Sequence, residues 1–172
     1  MTRRISLQNF QQEITRRINE SRTNDSSGNR LAVQVGQENW LIDMTDINEG
    51  IIPPPLARVP LAHGWLLGIA NIRGRLYTVI DLAAYAGGEP TRRQPDNRLL
   101  LTHPRFGLHA ALLVDRVLGL RNTGLMQTVT DNQSTIKPWN EWLWQDEHNN
   151  TWHGLDMTSL VNNPAFLAAG LA

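Results

Sequence analysis

Between Gly68 and Leu82 the chain reads Gly-Ile-Ala-Asn-Ile-Arg-Gly-Arg-Leu-Tyr-Thr-Val-Ile-Asp-Leu, and no other run constrains the fold as strongly. Two apolar, strand-like stretches meet at a tight Arg73-Gly74 turn, and Asp81-Leu82 closes the second. No side chain in the run is an activated nucleophile. What the hairpin presents is one Arg and one Asn, Arg73 and Asn71, which points to a docking module rather than an enzyme.

Other strand signals surround it. Leu31 to Val35 and Trp40 to Met44 flank a Gly36-Gln37-Glu38-Asn39 turn. Arg98 to Thr102 and Leu108 to Val114 form a second hairpin pattern, and Asp115 to Leu120 continues extended. Trp152 to Met157 reads as a final strand. Ile51 to Pro60 carries Pro53, Pro54, Pro55 and Pro60, so it is an ordered loop or an edge. Short strands recurring about every ten residues, with few long helices, indicate a mainly β barrel or sandwich.

Helix signals are local. Asp81 to Gly88 reads as one or two turns with Asp81 as cap. Pro164 to Leu171 reads as a short C-terminal helix. Leu7, Phe10, Ile14 and Ile18 recur at helical spacing and predict an amphipathic N-terminal helix over 5–18, followed by a linker at 23–29. Docking on the body, a partner contact and a membrane surface are all open roles for that helix. Glu89 to Asn97 is the expected crossing between subdomains. The segment from Gln127 to Thr151 is polar but holds Trp139, Trp142 and Trp144, which are expected to pack in the core or, failing that, to form an interface.

With 172 residues the chain makes one domain or two small subdomains. It has no cysteine, so no disulfide is possible, which fits a reducing compartment. No stretch approaches the roughly 20 apolar residues of a membrane span, and Met1 to Arg17 is too polar and interrupted for a signal peptide, so a soluble cytoplasmic protein is expected. Lys+Arg and Asp+Glu both number 16, and this balance argues against nucleic acid as the partner. Lys137 is the one lysine; the remaining basic residues are arginines. That bias suits planar pairing at protein interfaces, or it reflects the base composition of the genome.

Catalytic and metal signals are weak. Asp81 and Asp115 each end an apolar strand, where capping is the ordinary role. His103 and His109 face each other across one hairpin without a third ligand at recognisable spacing. No phosphate-binding loop, nucleophile elbow or dinucleotide fingerprint is present. Neither a metal nor a cofactor is expected. Arg73 has two readings, an ion pair with Glu49 and a partner anchor, and one guanidinium can serve both.

In series, these motifs resemble the CheW family of bacterial chemotaxis coupling proteins. The residues that carry the resemblance are Ile47-Asn48-Glu49, Gly68 with Asn71-Ile72-Arg73-Gly74, Val79-Ile80-Asp81-Leu82, Val114-Asp115-Arg116-Val117 and Leu155-Asp156-Met157 leading to Leu160. The variant Ala70 to Leu76 and the ending Asn163 to Leu167 look like the PilI branch, which serves twitching motility. Thr78 departs from the proline often found there, and Gly50 from an aliphatic.

The resemblance implies two five-stranded SH3-like barrels that share a core, within a domain covering 30–172 after an N-terminal segment 1–29. It implies a non-enzymatic adaptor between a methyl-accepting chemoreceptor tip and the regulatory domain of a CheA-type histidine kinase. The positions it links to partner contact are Ile47, Glu49, Gly68, Arg73 and Leu120, to which the hairpin reading adds Asn71. The alternative from another class is a small-barrel nucleic-acid-binding protein, whose signature would be a basic face with stacking aromatics.

Overall fold

A computed structural model describes residues 28–129 and 137–169. The expected helix at 5–18 lies outside the described residues. Eleven strands are found among those described, in two sheets. The first sheet takes β1 (Asn29–Val35) and β2 (Glu38–Asp43) from one end of the chain. From the other end it takes β8 (Arg116–Asn122), β9 (Gln127–Val129), β10 (Asn140–Gln145) and β11 (Thr151–Leu155), in the order β8-β1-β2-β11-β10-β9. The second sheet comes from the middle, as β3 (Ile47–Ile51), β4 (Leu66–Ile72), β5 (Arg75–Asp81), β6 (Arg98–Thr102) and β7 (Ala110–Val114), in the order β3-β6-β7-β5-β4.

The chain therefore changes sheet at two places: the 3₁₀ turn Met44–Asp46 between β2 and β3, and Asp115 between β7 and β8. The connection at 88–97, expected to make the crossing, instead joins elements of the second sheet. Its Pro and Arg content marked a loop correctly, but loop composition carries no information about which sheet comes next. Similarly, the first sheet has six strands rather than five, because the polar stretch after Gln127 pairs as β9 and β10. Side-chain polarity hid these strands, since β9 is exposed throughout and β10 is broken in register.

Alternation explains the layering. In β6, Leu100 points to one side while Leu99 and Leu101 point to the other; in β7, Leu112 and Val114 oppose Ala111 and Leu113. Both faces of this sheet are buried, so its strands read as unbroken apolar runs. One face joins Val33, Val35, Trp40 and Ile42 of the first sheet in a shared core that also takes Leu155, Met157 and Leu160. The outer face forms a second core around Val79, Leu99 and Tyr77. Each fully buried Leu or Ile contributes about 1.5–3 kcal/mol relative to exposure.

The helices are short. Asp81 caps α1 (Leu82–Tyr85), accepting from the amides of Ala83 and Ala84. The same carboxylate, 1% exposed, also accepts from the amide and hydroxyl of Thr91, so it ties the following loop down as well. Asp156 caps α2 (Met157–Val161) and Asn163 caps α3 (Pro164–Leu167). Asp115 caps no helix. Its carboxylate accepts from the Gly36 amide at 2.6 Å, which fixes the β1–β2 turn.

The Trp-rich segment is mostly packed. Trp139 tilts against Tyr85 with ring centroids 4.8 Å apart, and Trp144 joins Trp152, Ala32 and Leu41 in a third cluster. Trp142 is the exception, at 56% exposed. In a regular strand it would share a face with Trp144, but the β10–β11 register breaks between Asn140 and Leu143.

Candidate functional site

The β4–β5 hairpin closes through a two-residue turn, since Ile72 pairs with Arg75. Both turn residues have positive φ, +52° at Arg73 and +80° at Gly74, as a type I′ turn demands. The Asn71 Oδ1 accepts from the Gly74 amide at 2.9 Å and stabilises the turn from within. Gly74 adopts this conformation without strain. Arg73 does not, because a left-handed L-residue costs about 1–2 kcal/mol.

The Arg73 guanidinium forms a two-pronged pair with Glu49, Nη1 to Oε2 and Nη2 to Oε1, each at 2.7 Å. Glu49 lies on β3 and Arg73 on the β4–β5 tip, so the pair links the two edges of the second sheet, which curls toward closure. The Glu49 bonds raise the Arg73 pKa further above its already high value. The Arg73 side chain nevertheless remains 75% exposed and that of Glu49 31% exposed. The charge is fixed in place yet open to a partner.

The remaining predicted positions divide. Ile47 opens β3 and lies half-buried against the shared core, pairing with Thr102. Gly68 is buried, at φ +143°, and a Cβ there would sit 2.4 Å from the carbonyl oxygen of Ala57. Its role in this structure is close backbone approach, since Ala57 and Ile69 exchange hydrogen bonds at 2.9 and 2.8 Å. Leu120 lies on β8 in the other sheet and is 57% exposed. It pairs with Leu31, and Val117 pairs with Val33, so both extend the shared-core face outward at what is, among the described residues, an unpaired sheet edge. Ile47, Glu49, Asn71 and Arg73 thus belong to the second sheet, and Leu120 to the rim of the first.

Two features escaped the sequence reading. Leu76, 62% exposed, sits opposite Asn71 beside the hairpin tip. Alternation with buried Tyr77 was the signal that placed it outward. Asp46, buried in the turn between sheets, is paired with Arg105. Burial raises its pKa, against the pull of Arg105. Its partner lies far along the sequence, so no local pattern announced it.

His103 Nδ1 accepts from the Arg105 amide, and His109 lies against Tyr77. Among the described residues no group of three His, Cys, Asp or Glu is placed to hold a metal ion. Among them, too, no helix is long and apolar enough to cross a membrane.

The chain is thus mainly β, with two sheets sharing a core and an exposed Arg–Glu clasp at a hairpin tip. The CheW-like domain model matches residues 30–162, most of the chain, and the chain belongs to that family. It is 30% identical over 94 residues to the protein PilI of Pseudomonas aeruginosa, covering 54% of this chain and 51% of that one. It is 26% identical over 121 residues to the chemotaxis protein CheW of Helicobacter pylori, covering 70% of this chain and 67% of that one. The chain thus spans about half the length of the PilI relative. The crystal structure of the scaffolding protein CheW from Thermoanaerobacter tengcongensis shares the fold with a TM-score of 0.63 at 20% identity, over 74% of this chain and 88% of that one. The two sheets are the two SH3-like β subdomains of the CheW fold.

Proposed function

We propose that the protein is a cytoplasmic, non-enzymatic adaptor that couples methyl-accepting chemoreceptors to a CheA-type histidine kinase in the control of type IV pilus twitching motility. Family membership supports the adaptor role, and the PilI relative supports the pilus system. The observation that carries the reading is the Arg73–Glu49 clasp, a strained, immobilised and exposed charge pair that builds no core. The working unit is the CheW-like domain, 30–172, preceded by a separate segment, 1–29.

In this reading Glu49, Arg73 and Asn71 form the hairpin-tip contact, Ile47 and Gly68 shape the strands beneath it, and Leu120 anchors a helical receptor hairpin at the groove between sheets. Two modest contacts in one array raise effective concentration sharply, so bivalence rather than single-site affinity produces coupling. The test mixes the chain with the kinase regulatory domain and a receptor-tip fragment and follows sedimentation. A ternary complex is the expected result. Failure to bind either fragment, together with retention of duplex DNA at physiological salt, would replace the adaptor reading with the nucleic-acid one.

A further inference from the structure

The outer face of the second sheet is covered by loops rather than by another sheet, and a cleft opens between those loops. One wall is the strap Ile52 to Arg58, stiffened by Pro53, Pro54 and Pro55 and pinned by the Ala57–Ile69 bridge. The opposite wall is the loop from Thr91 to Asn97. It is pinned by the Thr91 bonds to Asp81, by the Gln94 amide donating to Asn97 Oδ1, and by Asn97 Nδ2 donating to the Asp115 carbonyl. Between these walls lies a cleft of about 690 Å³. Its reachable apolar lining is Ile52, Leu56 and Leu67 with the strap prolines, while Val79 and Leu99 border it from within the buried core.

The charged groups at this cleft have one sign. Arg58 and Arg93 both line it, and no Asp or Glu does. Among the described residues neither arginine forms an ion pair. In a chain with zero net charge, two uncompensated guanidinium groups beside an apolar lining make a local positive field. The walls are fixed before any ligand arrives, so little ordering opposes binding. The volume falls in the range of small-molecule sites, about 300–1,000 Å³. The lining has no aromatic ring to stack a base, which disfavours nucleotides.

We propose that this cleft binds a small amphipathic carboxylate, with its apolar body against Ile52, Leu56 and Leu67 and its carboxylate between Arg58 and Arg93. Guanidinium groups suit this role because their planar donors match a carboxylate in two-pronged geometry. The site lies on the outer face of the second sheet, away from the shared core, and stands independently of the adaptor reading.

The test titrates the full chain with decanoate and, separately, with decanol, by calorimetry and thermal melting. Saturable decanoate binding with a raised melting temperature is expected, with decanol at least tenfold weaker. The double variant R58Q/R93Q replaces two exposed side chains, so it should keep the native circular dichroism while losing at least tenfold in decanoate affinity. Equal affinity for decanoate and decanol, undiminished binding by the double variant, or no saturable binding up to millimolar decanoate would each overturn the proposal. A short apolar peptide carrying glutamates serves as the remaining arm. If it bound through the same arginines more tightly than decanoate, the cleft would be a protein-docking site instead.

Discussion

At Arg73 the backbone is strained while the side chain is well held. A left-handed φ of +52° is unfavourable for arginine, and asparagine or glycine would be cheaper at that turn position. The strain persists beside a clasp that is mostly solvent-exposed, where ion pairs contribute only about 0–1 kcal/mol. Stability therefore does not explain the choice of residue; the proposed docking role would, because truncating an interface arginine costs about 2 kcal/mol or more. Arg73→Ala should leave circular dichroism intact, move the melting temperature by a few degrees at most, and weaken kinase or receptor binding at least tenfold. Binding that is unchanged for both partners removes Arg73 from the site. Its neighbour is the converse case. Gly74→Val places a β-branched residue at φ +80° and should destabilise the fold by about 1–3 kcal/mol, seen as a lower urea midpoint. Gly68→Ala should cost more, about 3 kcal/mol or above, because a 2.4 Å contact with the Ala57 carbonyl adds to the strained φ. A variant as stable as the parent would mean that the 52–58 strap is free to shift.

At the scale of elements, what the sequence revealed was whatever is local. The Arg73-Gly74 hairpin, the β1–β2 pair and the Asp81 cap each depend on residues within a few positions of one another, and each appears as expected. The crossing was misplaced because sheet membership depends on pairing between distant strands, such as β11 running parallel to β2. β9 and β10 were missed because β9 is exposed throughout and the β10 register is broken. For the site, Glu49 and Arg73 were legible as a pair, since opposite charges on an edge strand and a hairpin tip have few other partners. Gly68 was reached only through the resemblance, as a partner-contact position. Its reason, a backbone passing over it, lies in a loop whose course prolines do not specify.

The β10–β11 loop carries a further prediction at this scale. Asp146 accepts from the amides of His148 and Asn150, from the Asn150 side chain and from Trp152 Nε1. The Asn150 and Trp152 side-chain bonds hold its pKa well below its ordinary value of 3.8. A depressed folded-state pKa stabilises the fold above the unfolded value, and that contribution fades as pH falls from about 4. Asp46 acts in the opposite sense. Burial raises its pKa, so its ionisation works against the fold as pH rises past 3.8, with Arg105 offsetting part of the cost. Asp146→Asn should lower stability at pH 7 and make it less sensitive to acid between pH 4 and pH 2, read from urea midpoints along a pH series. An acid limb as steep as the parent's would assign acid sensitivity to other carboxylates.

The whole molecule is arranged so that its two candidate contacts lie on different sheets joined by one core. The Arg73 tip belongs to the middle of the chain and to the second sheet. Leu120 belongs to the strand β8, which among the described residues pairs only with β1. Because Val33, Val35 and Trp40 pack against Ile80, Leu100 and Leu112, the two sheets form one solid unit, and a partner held at either contact is held at a fixed place relative to the other. An adaptor needs that rigidity, and it makes the contacts separable by mutation. Leu120→Asp changes a side chain that is 57% exposed on β8, so the fold should survive it with a stability loss under about 1 kcal/mol. The variant should lose the apolar anchor for a receptor hairpin while keeping the kinase, and Arg73→Ala should show a different partner profile. Either variant alone should then reduce ternary assembly by more than it reduces the single affinity it touches, because the lost contact also supplied effective concentration for the other. Titrating each variant against the two partners separately, and then together, measures this directly. If Leu120→Asp and Arg73→Ala weakened the same partner equally and left the other unchanged, the two positions would form one extended surface, and coupling would need a second contact elsewhere on the fold.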